Sequence, residues 1–223
     1  MDPERLVREH PRLFHMAHDG SWPSIREHGL LSTRALVDLY APPSELRSAV
    51  LDGVRRTSVV LERHGLDRVV IRDQGPLKFL DACLTPGTTA QEFLDLLNGR
   101  VFFWLSHSRF QRLLGAARYR SQAQTVLQFD TAEVLARYGK QVQLAPFNTG
   151  SMHVPPPHSP VRGRDAFRDV EDYPFDHWRA KRGNSGDAVV ELTIPTAVPD
   201  AGELAVRVER WINVAPVETL HVR

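Results

Sequence analysis

A single cysteine in 223 residues, Cys83, excludes an intramolecular disulfide and any zinc site built from several thiolates. No apolar run approaches the roughly 20 residues that span a bilayer. The charged opening MDPERLVREH lacks the apolar centre of a secretory signal. The expectation is a cytoplasmic protein with no membrane partner. An excess of one charge is missing too: 28 Lys and Arg stand against 27 Asp and Glu, a formal net charge of +1. Domains that coat nucleic acid by charge alone are usually markedly basic, so such a role would need a local patch. The chain has no GxxxxGK[ST] loop, no GxGxxG, no HExxH and no GxSxG. Its ten histidines form no i, i+4 pair around an acid, and His15 and His18 on a strand would point to opposite faces. No metal site is expected.

What is present suffices for one core: 42% of residues are hydrophobic and 25% charged, so residues 1–223 read as a single domain. RLFHMA reads as a strand. SWPSIREHGLL reads as a helix, with Ser21 as its cap, Pro23 in the first turn, Trp22 and Ile25 inward and Gly29 as a left-handed end. Leu46, Val50, Val54 and Leu61 predict a long helix from Ser44 to His64 within a helical segment of about 40–98. Thr89 and Glu92 form a capping box for the next helix, and VFFWLS reads as a strand buried on both faces. RFQRLLGA and AEVLARYG read as helices, and TVLQFDT, QVQLAP, DAVVELTI, LAVRVERWI and VETLHV as strands. The segment 148–186 shows little regular periodicity but is rich in aromatics. Early helices and late strands predict an α+β fold.

Three residues stand out chemically, each with a plainer reading beside it. His15, inside the first strand, could accept through one ring nitrogen and donate through the other to a ribose diol, or be a core histidine satisfied by backbone. Arg109 follows a buried strand, where polar residues commonly line pockets, or sits exposed in the first turn of the next helix. Glu191 shares one strand face with Val189 and Thr193. That face is either a solvent face or a cleft in which a rigid carboxylate stabilises a cation or acts as a base. The loop Asn148-Thr149-Gly150-Ser151 could hold a ligand or simply turn.

In order, LFHMAHDGSWPSIREHGLLS, RVFFWLSHSRF, TVLQFDTAEVL, NTGSM and VVELTIPTAVPDAGELAVRV resemble the successive motifs of the DarT-type DNA ADP-ribosyltransferases. Residues 40–98 fall outside the resemblance, and Ser108 stands where that family has proline. The resemblance implies a split, mostly antiparallel β-sandwich with peripheral helices and a helical insertion. It implies NAD as co-substrate, with His15, Met16, Ala17, Phe103, Asn148 and Ser151 holding it, and Glu191 assisted by Arg109 in catalysis. The implied acceptor is single-stranded nucleic acid or a protein, the implied role a toxin or defence effector with an antitoxin partner. Arg118, Arg120, Arg162 and Arg164 are the candidates for a nucleic-acid surface. A second reading keeps the fold without catalysis, as a nucleotide- or partner-binding module using residues 148–186. In a third, the aromatic loop of an accessory protein is an interface.

Overall fold

The computed structural model describes residues 1–183 and 186–223, so two positions of the 148–186 segment lie outside the described residues. The chain opens with α1 (Pro3–Glu9), β1 (Arg12–His18), α2 (Trp22–His28), β2 (Leu30–Leu31), α3 (Thr33–Tyr40) and α4 (Ser44–Leu51). Next come β3 (Val59–Leu61), β4 (Val69–Ile71), α5 (Ala90–Asn98), β5 (Arg100–Trp104) and α6 (His107–Leu114). The middle holds β6 (Gln124–Asp130), α7 (Thr131–Tyr138), β7 (Gln143–Ala145), β8 (Arg168–Asp169) and α8 (Phe175–Arg182). The chain closes with β9 (Glu191–Pro195), β10 (Ala197–Val198), α9 (Ala201–Leu204), β11 (Ala205–Ile212) and β12 (Ala215–Val222).

Eight strands form one sheet in the order β12-β11-β6-β1-β5-β9-β7-β8, and the pairings between these neighbours are antiparallel. Helices and the small pairs β10-β2 and β3-β4 surround it, giving a mixed α+β architecture with one large antiparallel sheet. The pairing is uneven. β1 matches β6 along its whole length, from Arg12 opposite Asp130 to His18 opposite Gln124. β1 meets β5 at one registered pair, Phe14 opposite Trp104, and the two strands then part.

Alternation within β5 decides what each face does. Val101, Phe103 and Leu105 enter the main core with Leu127, Phe129 and Leu192. Phe102 and Trp104 point the other way and are only half-buried. The expectation of burial on both faces is thereby corrected. Directly opposed residues share a face, so Glu191 opposite Trp104, and Thr193 opposite Phe102, lie on the same side as those two aromatics.

Local sequence explains the frame of the site. Trp22 and Ile25 bury one side of α2, with proline in its first turn. Ser21 occupies the cap position but its side chain accepts no capping bond, contrary to expectation. Gly29 ends the helix at φ 79°, and a Cβ there would sit 2.4 Å from the Val198 carbonyl oxygen, so both conformation and close approach demand glycine. The Thr89–Glu92 capping box forms as read and starts α5, a motif worth about 1 kcal/mol. The long helix expected from Ser44 to His64 stops at Leu51, beyond which Gly53 adopts φ 118° and the β3–β4 hairpin follows. Residues 40–98 are therefore mixed rather than helical. Within 148–186, α8 is a helix the sequence reading lacks. Of its residues FDHWRAKR only Phe175 is buried, which leaves no apolar periodicity to read.

Candidate functional site

The parting of β1 from β5 opens a cavity of about 400 Å³, within the roughly 300–1,000 Å³ of small-molecule sites. Its wall takes residues from β1, α2, β4, β5 and the Asn148–Gly150 loop. Of the residues singled out in the sequence, His15, Met16, Ala17, Asn148 and Glu191 line it together.

His15 projects into the gap where ladder hydrogen bonds between β1 and β5 would otherwise continue. Its Nδ1 lies 2.9 Å from the Phe102 carbonyl oxygen. That acceptor requires Nδ1 to carry the proton, which leaves Nε2 as a lone-pair acceptor. Burial pushes the ring down to about 4, so it is neutral at physiological pH; the Phe102 bond opposes this shift and the Arg72 charge adds to it. His15 is thus a histidine satisfied by backbone, as one of its two readings had it, and it also lines the cavity.

Glu191 is 4% exposed, which excludes the solvent-face reading. One carboxylate oxygen, Oε2, accepts from the Thr149 amide at 3.1 Å and from the Thr149 hydroxyl at 2.7 Å. Those two bonds fix the carboxyl on a rigid strand and leave Oε1 for a ligand. Desolvation raises the group to about 7, while the Thr149 bonds and then the charges of Arg162 and Arg109 pull it down. A buried carboxyl with such a value can exchange a proton near neutrality.

The other singled-out residues lie elsewhere. Phe103 is fully buried in the core, edge-on to Phe129 at 5.3 Å and to His15 at 5.9 Å, and does not line the cavity. Ser151 is absent from the lining; its carbonyl accepts from Arg162 at 2.8 Å. Arg109 belongs to α6 rather than to a strand end, is paired with Asp187, and does not line the cavity. Arg118, Arg120 and Arg164 are exposed, whereas Arg162 is withdrawn from the surface. Arg162 is buried under Phe147, Arg118 pairs with Asp73, and Arg164 pairs with Glu92.

Several wall residues carried no sequence signal. Trp104 and Phe102 join the wall through strand alternation, while Arg55, Arg72 and Asn98 come from the segment expected to be helical. Arg55, in the string LDGVRRTSVV, is not singled out in the sequence and is 7% exposed. Thr149 is visible in the sequence only as one polar member of its loop.

Among the described residues, no cluster of three or more His, Cys, Asp or Glu could hold a metal ion. No helix among them is long and apolar enough to cross a membrane.

Sheet, surrounding helices and cavity define an α+β domain whose ligand-sized cavity sits where two strands of one sheet separate. The chain belongs to DUF7002, a family of unknown function whose sequence model matches residues 11–205. The match takes in the whole cavity wall and ends at the first residue of β11. No curated protein matches the chain.

Proposed function

We propose that the protein is an NAD-dependent mono-ADP-ribosyltransferase, acting on a nucleic-acid base or a protein. The observation that carries this reading is the convergence of His15 and Glu191 on one cavity at the parting of β1 from β5. The parting also supports a split-sheet architecture of the ADP-ribosyltransferase kind.

The chemistry fits the groups present. Cleaving the bond between ribose C1′ and the nicotinamide nitrogen sends the bonding electrons to nicotinamide and leaves positive charge on the ribose. A fixed carboxylate beside that carbon stabilises the charge as it develops. Oε1 of Glu191 is free for this role because Oε2 is held by Thr149. A nucleophile that then bonds to C1′ must lose a proton, and a carboxyl poised near 7 can accept it. Nε2 of His15 accepts from a ribose hydroxyl, orienting the sugar. Met16, Ala17 and Asn148 complete the NAD wall, whereas Arg109 acts at a distance, by favouring the ionised form of Glu191.

Incubation of the purified protein with NAD should release nicotinamide, and mass spectrometry of added DNA, RNA and protein should find the ADP-ribose. Glu191→Gln should lower the rate by about 100-fold or more. Undiminished release by Glu191→Gln would overturn the reading, and NAD binding without turnover would favour a non-catalytic module.

A further inference from the structure

The cavity holds a charge arrangement that the transferase reading does not use. Arg55 is 7% exposed and lines the wall, yet among the described residues no carboxylate pairs with it. Its Nη1 donates to the Val50 carbonyl at 2.6 Å and to Asn98 Oδ1 at 2.9 Å, and its Nε to the Arg72 carbonyl at 3.1 Å. The neighbouring Arg72 lines the same wall, donates to the neutral amide of Gln124, and lies 5.1 Å from the Tyr119 ring. Among the described residues it has no carboxylate partner either. The nearby acid, Asp73, is taken by Arg118. Asn98 is 1% exposed, and with Oδ1 engaged by Arg55 and Gln74 its Nδ2 donor has no partner.

Buried charges are paired or they coordinate something, and a buried donor without an acceptor is costly. Two guanidinium groups and an orphan amide donor line one cavity, and the carboxylates that line it with them, Asp73 and Glu191, are engaged by Arg118 and Thr149, so the cations suit an added anion. Burial holds both arginines below their ordinary value, Arg55 to about 10, and Tyr119 partly offsets this at Arg72. Two adjacent cations match a dianion better than a single carboxylate, and the planar guanidinium fork suits phosphate oxygens.

We propose that Arg55, Arg72 and Asn98 form a phosphate-binding end of the cavity, so that the natural occupant carries a phosphate or diphosphate group. This holds for any phosphorylated occupant and does not depend on ADP-ribosyl transfer.

Inorganic pyrophosphate is the probe, titrated calorimetrically at matched ionic strength. Wild-type protein should bind it saturably with one site per chain, and succinate at least about tenfold more weakly. Arg72→Gln should weaken pyrophosphate binding by about tenfold or more, equivalent to about 1.4 kcal/mol. Arg72→Lys, which keeps the charge without the fork, should lie between. Arg120→Gln, an exposed position outside the cavity, should bind like wild type. In unsubstituted protein, pyrophosphate should slow phenylglyoxal modification of Arg72 and leave that of Arg120 unchanged, a readout that needs no variant to fold. Absence of saturable binding, equal affinity for succinate, or no protection of Arg72 would overturn the proposal. Pyrophosphate binding without nicotinamide release from NAD would sink the transferase reading and leave the phosphate site standing.

Discussion

At Glu191, burial and hydrogen bonding act in opposite directions, and burial dominates, holding the carboxyl near 7 against an ordinary 4.5. Because the folded protein holds this proton more tightly than the unfolded chain, the stability it contributes is complete below about 4.5 and is lost as pH rises through about 7. Glu191→Gln should therefore melt higher than wild type at pH 8 and similarly at pH 4. The gap is on the order of 1–3 kcal/mol, measurable by denaturant titration at the two pH values. A wild-type protein as stable relative to the variant at pH 8 as at pH 4 would show that the carboxyl is not desolvated. His15 works in the opposite sense: its lowered value makes stability fall as pH drops from about 6.5 through about 4. Comparing Glu191→Gln with wild type removes that contribution, since both proteins keep His15. At this scale the sequence exposed the polar residues but not their orientation. Phe103 and Trp104 are adjacent and aromatic, and only the strand opposite, with Leu192 against one and Glu191 against the other, tells core from cavity.

Elements with a strong local signal were readable and those sharing a cluster were not. The Thr89 capping box and the β1 strand follow from a few residues each. The apolar positions Val50 and Leu61 fit one helical stripe, and they do share a cluster, but a helix supplies the first and a hairpin strand the second. The spacing is accidental to the packing, and Gly53 with the β-branched Thr57, Val59 and Val60 marks the change of element. α8 escapes because ion pairs dock it rather than an apolar stripe: Arg5 reaches Asp176 and Glu9 reaches Arg179. The junction of α2 with β2 gives a sharp test. Gly29→Ala would have to accept φ 79° and a Cβ within 2.5 Å of Val198 and Pro199 backbone atoms. A loss of roughly 2 kcal/mol or more is expected, together with disturbance of the α2 residues on the cavity wall. An alanine variant as stable as wild type in chemical denaturation would contradict the close approach.

Across the whole molecule, a net charge of +1 conceals a strong internal asymmetry. Most exposed arginines are matched by surface carboxylates, as in Arg47 with Asp38 or Arg210 with Asp19, and such pairs contribute little individually. Arg55 and Arg72, by contrast, are cations on a cavity wall with no carboxylate partner among the described residues, which composition cannot reveal because it counts charges without locating them. The large antiparallel sheet was foreseeable from the late run of strands. Its strand order was not, since β1 from the start of the chain sits between β6 and β5.

That placement gives the molecule a seam. Four strands, β12-β11-β6-β1, lie on one side and four, β5-β9-β7-β8, on the other, stitched by the Phe14–Trp104 pair and the His15–Phe102 bond. A sheet joined along a full ladder opens only with global unfolding, whereas one joined at a single rung can breathe there alone. A ligand lodged between β1 and β5 becomes the missing rungs. Amide exchange at β5 should be faster than at β6 in free protein and should slow selectively at β5 when the cavity is filled. Equal protection of both strands would mean the sheet behaves as one plate. If the seam does breathe, the cavity needs no permanent doorway: the fold's weakest joint is also its point of entry.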